Sequence, residues 1–192
     1  MTGKGSLNHN SRKFHAKNTD PNRTHWNVEY CNEDIKDVYH ELFDDALKRY
    51  NDKQTRKDRK INDYYEKIRS GKQEKLFHEV ILQIGDKDNM GSETMEGQLA
   101  AKILDEYMKG FQERNPTLRV FAAHLHLDEA TPHLHIDFIP YVTGSKRGLD
   151  TRVSLKQALS SLGFKGGSRS ETELNQWVQS EKGKTSHGHE RK

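Results

Sequence analysis

Apolar side chains at helical spacing open the readable part of the chain. Ile35, Val38, Tyr39, Leu42, Phe43, Ala46, Leu47 and Tyr50 fall on one face of a helix. Asn32 is its expected N-cap, with Glu33 and Asp34 at the positive end of the helix dipole. Ile61, Tyr64, Tyr65 and Ile68 continue a helical stripe to Gly71, and a third helix is predicted over residues 93–114, ended by Asn115-Pro116. The β-rich run LFHEVILQI (76–84), stopped by Gly85, predicts a strand, and residues 26–30 a short one. Residues 118–127 and 133–141 read as two strands joined by Asp128-Glu129-Ala130-Thr131-Pro132, a hairpin. Ser154 caps a short helix ending at Gly163, and Ser170 with Glu173 makes a capping box for a last one. Residues 1–24 show no periodicity and are expected to form an arm, and the tail from Gly183 is expected to fray. Trp26 and Trp177 are read as partial core residues. Strands mixed with helices around an antiparallel hairpin predict an α+β fold, an antiparallel sheet covered by helices.

Composition narrows this picture. Of 192 residues 31% are hydrophobic and 32% charged, with mean hydropathy −1.07, so the core is modest. A net charge of +3 argues for no partner by itself, but residues 48–60 carry seven basic side chains against two acidic ones. That run is a solvated helix face or, with Tyr50, Tyr64 and Tyr65 interleaved, a contact for a DNA backbone through Arg56 and Arg59. The single Cys31 excludes an internal disulfide and a CxxC metal site. No apolar run is long enough to span a bilayer and no signal peptide is visible, so a cytoplasmic location is expected.

Five of the eleven histidines lie between His78 and His135. In the stretch H124-L-H-L-D-E-A-T-P-H-L-H-I-D137, residues two apart share a strand face, so His133 and His135 project together. An antiparallel return brings His126 opposite them. Three imidazoles on a rigid face leave coordination positions open, the pattern of a catalytic metal site. Nitrogen ligands without a thiolate favour Mn²⁺ or Zn²⁺ over Mg²⁺. Asp128 and Glu129, beside the ligands, are candidates to orient an imidazole or act as general base. His124, one pleat further from the turn, is read as a core or supporting histidine. The bland alternative is histidines alternating on a wet sheet face. A second element, G5-S-L-N-H-N-S-R12, pairs His9 with Arg12, a combination suited to phosphate chemistry or only a polar arm.

The segments GSLNHNSRKF, DPNRTHWNVEY and HLDEATPHLHIDFIPY together resemble the MobV (Mob/Pre) family of plasmid relaxases, across most of residues 1–165. The resemblance implies an enzyme that nicks single-stranded DNA at a plasmid transfer origin, stays joined to the 5′ phosphate, and rejoins the ends. It implies that His126, His133 and His135 hold a divalent ion, with Mn²⁺ expected. His9 would attack phosphorus, Glu129 would take its proton, and Arg12 would hold phosphate or order the arm. A catalytic domain over 1–165 is expected, followed by a short helix and tail (166–192) that begin a missing helical region housing dimerisation. Two rivals remain: a replication initiator with Tyr30 as nucleophile, and a non-catalytic DNA-binding module stabilised by its metal.

Overall fold

The hairpin expected around residues 128–132 forms, and its two strands make the middle of the sheet. The computed structural model describes residues 2–3, 6–14, 16–168 and 171–186. In chain order the strands are β1 (Thr2–Gly3), β2 (Val28–Asn32), β3 (His78–Gln83), β4 (Leu118–His126), β5 (His133–Val142) and β6 (Arg152–Val153). The helices are α1 (Leu7–Asn10), α2 (Ile35–Asp52), α3 (Tyr64–Ser70), α4 (Met95–Lys109), α5 (Phe111–Arg114), α6 (Leu155–Ser161) and α7 (Glu173–Ser186). The sheet runs β1-β3-β5-β4-β2, with β6 against β5, and every pairing is antiparallel. The α+β architecture expected from the pattern is the one observed.

Local chemistry sets the element ends. Asn32 does not cap α2, because it still pairs with Ala122 as the last residue of β2. Asp34 caps instead, accepting from the Lys36 amide. The expected helix 93–114 breaks at Gly110 into α4 and α5, and Thr94 caps α4 by accepting from the Gly97 amide. Between α2 and α3 the basic segment is closed by Asn51, whose amide side chain exchanges two hydrogen bonds with the Ile61 main chain. Ser154 caps α6 as expected. Ser170 of the expected capping box lies outside the described residues.

A bulge in β4 decides which side chains meet. Val120 pairs with Phe138 and Ala122 with Asp137, so Phe121 is an extra residue. Before it, Leu118 and Val120 share the face of Phe138. After it, Ala122, His124 and His126 share the face of Asp137, His135 and His133. The first face, with Val80, Leu82, Leu134, Ile136 and Phe138, packs against α4–α7 around Leu104, Phe111, Leu159 and Trp177. At one end of the second face Phe121, Ala122 and Ile139 pack against α2 and α3 through Val38, Tyr39, Phe43 and Tyr64. The remaining end of that face carries the histidines.

Two expectations change here. Trp177 is fully buried, its ring packing on Phe111 and Phe138 and its indole N–H donating to Asn115, so α7 packs on the core. Helix α7 runs through Gly183 to Ser186, with Glu181 buried against Tyr107 and Lys184, and the rest of the tail expected to fray lies outside the described residues. Trp26, by contrast, is largely exposed. Tyr64 is buried and its hydroxyl accepts from the Val153 amide, so it is not free to stack on bases. Among the described residues no helix is long and apolar enough to cross a membrane.

Gly97 in α4 has no room for a side chain: a Cβ there would lie 1.9 Å from the Gly91 carbonyl oxygen. Alanine normally strengthens a helix interior, but here the clash dominates. Gly97→Ala should lower stability by about 2 kcal/mol, seen as a reduced urea midpoint at unchanged m-value. A midpoint equal to or above wild type would refute the close approach.

Candidate metal centre

Register brings the three histidines together. His126 pairs directly with His133, and His135 is the next residue but one on the same face of β5. Their ring centroids lie 4.8–5.2 Å apart, and one ring nitrogen from each lies within 4.8 Å of the others. All three are buried.

Each imidazole is held by a bond at its other nitrogen. His135 Nδ1 donates to Glu79 Oε1 at 2.8 Å, His133 Nδ1 to the Thr131 carbonyl at 2.8 Å, and His126 Nε2 to the Asn10 carbonyl at 2.8 Å. Oxygen partners of this kind fix the tautomer, because only the N–H form of that nitrogen can meet them. The opposite nitrogen then keeps its lone pair. Two such nitrogens, His126 Nδ1 and His135 Nε2, are buried with no hydrogen-bond partner among the described residues. Burial, then the neighbouring His135 and Arg12, push the His126 imidazole down to about 2, and burial likewise lowers His133. Neutral rings with orphaned lone pairs facing one another are what a divalent ion requires, so the residues fit a metal.

Behind the ligands sits a carboxylate pair that the sequence reading missed. Glu79 on β3 pairs with Asp137 on β5, and Asn10 Nδ2 bridges them, 2.8 Å from Glu79 and 3.1 Å from Asp137. Burial and then the Glu79 charge push Asp137 up to about 7. Burial opposes the Glu79 charge, yet the bonds from His135 and Asn10 hold its pKa below the usual value. Asp137 was within reach of sequence reasoning, since it continues the period-2 series His133, His135. Glu79 carries no such signal, being a single acid inside an apolar strand.

The arm lies across this face. Arg12, the one non-glycine with a left-handed backbone among the described residues (φ 53°), spends all five N–H groups on protein atoms. Two meet Asp128, one meets Glu129 at 2.8 Å, one meets the His9 carbonyl at 3.2 Å, and one points at His9 Nε2 at 3.3 Å. His9 Nε2 also lies 3.4 Å from Glu129 Oε1, and its ring centroid is 6.0 Å from that of His126. Glu129 is further fixed by Asn18 at 2.7 Å. A small cleft of about 270 Å³ opens on His9, Glu129, His133 and His135.

The profile of the plasmid recombination enzyme family (Mob_Pre) matches residues 5–192. The chain belongs to that family. No curated protein matches it. Among solved structures, the Mn-bound MobM relaxase domain (MOBV; Mob_Pre) with plasmid pMV158 oriT DNA of 22 nucleotides, at pH 5.5, is similar. Identity is 23%, covering 97% of this chain and 79% of that one, with a TM-score of 0.52. The same domain with 22-nucleotide DNA carrying a 3′ thiophosphate, at pH 6.8, is 22% identical over 97% and 79% of the two chains, TM-score 0.49. The antiparallel sheet expected from the sequence is thus the fold of a Mob_Pre relaxase domain.

Several expected roles can now be located in this plasmid recombination enzyme. His9 and Glu129 lie beside the three histidines. Asp128 is engaged by the arm: burial opposes its charge, but the Arg12 guanidinium and Asn27 hold its pKa down at about 2. The donors of Arg12 go to Asp128, Glu129 and His9, which orders the arm. His124 lies on the same face, but its Nε2 donates to Glu29 at 3.2 Å, outside the group of three. Tyr30 points to the opposite face, among the α4 core, where its hydroxyl donates to Asp105 at 2.8 Å; burial and that bond raise its phenol. Arg56 and Arg59 flank a turn after α2, whose end is tied by Arg49 to Asp150 in the loop following β5. That is the end of the sheet away from the histidines.

Replacing His133 or His135 with alanine removes one of three candidate ligands, and calorimetry should show Mn²⁺ affinity falling at least about a hundredfold. Unchanged affinity in both variants would misplace the site. Acid should also unfold the metal-free protein early. His78, His124, His126 and His133 are all held below their unfolded value of 6.5, burial being the first cause in each. The unfolded chain therefore binds more protons below that pH, and these groups lose their contribution as pH falls. Asp137, held protonated up to about 7, acts in the opposite direction, but one carboxyl stands against four imidazoles. Urea stability of chelator-treated protein should drop between pH 7 and pH 5 by more than about 1.4 kcal/mol, one unshared proton over one pH unit. A flat profile would contradict neutral ligands.

Proposed function

We propose that the chain is a metal-dependent relaxase that nicks and rejoins one strand of DNA at a plasmid transfer origin, with His9 as nucleophile and Mn²⁺ as the ion. The observation that carries this reading is His9, held by Arg12 and Glu129 against three metal-competent histidines at an open cleft. Family membership supports it, as does the Mn and oriT DNA named for the similar MobM domain.

His126, His133 and His135 would hold the ion, which when bound would supply positive charge against the non-bridging phosphate oxygens. The chain's residues do the rest. His9 Nε2 has two partners: it hands a proton to Glu129 or receives a hydrogen bond from Arg12. With its proton on Glu129 the ring keeps Nδ1–H and presents the Nε2 lone pair to phosphorus. The N–P bond forms, the P–O3′ bond breaks with its electrons on the 3′ oxygen, and the Glu129 proton completes the 3′ hydroxyl. The retained phosphoramidate keeps the bond for rejoining, which a simple nuclease would discard. Asn10 is a positioning residue, joining the arm to Glu79, Asp137 and His126.

A Tyr30 nucleophile is disfavoured by its place on the other sheet face. A purely structural metal is disfavoured because both apolar cores are complete without the histidines. A cytoplasmic location accords with the lone half-buried Cys31.

Incubating the protein with single-stranded origin DNA and Mn²⁺ should give a covalent adduct that is labile in acid and stable in alkali. His9→Ala should abolish the adduct while keeping Mn²⁺ binding, and Tyr30→Phe should retain it. An acid-stable adduct, or an active His9→Ala protein, sinks the assignment.

A further inference from the structure

At the end of β5 away from the histidines, two clefts of about 580 and 590 Å³ adjoin across the loop that follows Val142. Their charged lining is lopsided: Lys67, Lys72, Lys146, Arg147 and Arg152 against the single carboxylate Glu74. The chain as a whole is nearly balanced, with 32 basic and 29 acidic residues, so this concentration is local. Neighbouring acids are already engaged, Asp150 by Arg49 and Glu66 by Arg69. Lys67, Lys72, Lys146 and Arg147 are exposed and enter no ion pair among the described residues.

The loop that presents two of these cations is built. Gly144 and Gly148 both take left-handed backbone (φ 70° and 72°) with open space where a Cβ would be, turning the chain out and back around Lys146 and Arg147. Ser145 locks the turn: its amide donates to the Asp150 carbonyl, its hydroxyl donates to the Arg147 carbonyl, and it accepts from Arg152 Nε. Cations on a loop already ordered bind an anion with little further entropy cost.

We propose that this paired cleft holds the phosphate backbone of the DNA substrate beyond the nick site. The inference rests on the DNA-nicking reading and adds a second point of attachment. From His135 to Val142 is seven residues of strand, roughly 23 Å at about 3.3 Å per residue. DNA stacked at about 3.4 Å per step must extend about seven nucleotides past the scissile phosphate to reach both points, and an extended single strand fewer.

The test compares Lys146→Ala/Arg147→Ala with its parent, both in a His9→Ala background with Mn²⁺, so that only binding is read. Fluorescence anisotropy is followed against salt with an oligothymidylate of about thirty nucleotides and with a duplex of about twenty base pairs. Loss of two phosphate contacts should flatten the log–log salt slope by about 1.4 for the single strand or about 1.8 for the duplex, and the probe affected identifies which form the cleft holds. Lys102→Ala, on α4 across the sheet, should leave both slopes unchanged. Unchanged slopes for the double variant with both probes would overturn the proposal, as would an equal loss in Lys102→Ala. Wild-type protein that forms no adduct while the double variant still flattens the slope would remove the nicking assignment and leave the cleft standing.

Discussion

Strand parity governs this molecule. Side chains on a strand alternate strictly, so a residue's face is settled by counting, and the extra residue at Phe121 changes the count. Without it His124 and His126 would follow Leu118 and Val120 into the apolar core, while Leu125 would meet solvent and the arm. With it, one strand contributes Leu118 and Val120 to the core on one side and His126 to a polar site on the other. The same bulge delivers Phe121 itself to α2 and α3, which roof half of the site face and leave the other half for the histidines.

That uncovered half holds an unusual density of buried polar groups, and each is stabilised by a specific partner. Glu79 and Asp137 would repel as two bare carboxylates, but the first is bonded by His135 and Asn10, and burial with the Glu79 charge pushes the second up to about 7. Asp128 is fully buried and answered by Arg12. Breaking one partner of such a network leaves a stranded charge, which costs more than the intact pair contributes. The arm is therefore part of the site's electrostatic balance as well as the carrier of His9.

Much of this was legible in the sequence because it is periodic and local. Two His-x-His elements flanking a five-residue turn implied the cross-strand triad, and the helix stripes implied both cores. What escaped was long-range. Asn10 meets Glu79 and Asp137 across separations of 69 and 127 residues, and no local pattern encodes such a meeting. Asp128 and Arg12 were each singled out, yet as separate reactive groups. Only the fold reveals that they neutralise one another. Trp177 looked marginal because its helix carries a weak apolar stripe, but one large ring inserted between Phe111 and Phe138 is enough to anchor it.

The bond from His126 to the arm ends on a main-chain carbonyl, that of Asn10. Side-chain substitution at position 10 leaves that oxygen in place, so alanine scanning is blind to it. The sequence reaches it only through backbone conformation, and the left-handed turn at Arg12 is where it does so. A metal that draws on the His126 lone pair polarises the ring and strengthens the N–H donated to the arm. By reciprocity of linked equilibria, an arm laid down over the sheet tightens the hold on the metal by the same factor. The placement of His9 and the affinity for a metal are then two readings of one equilibrium.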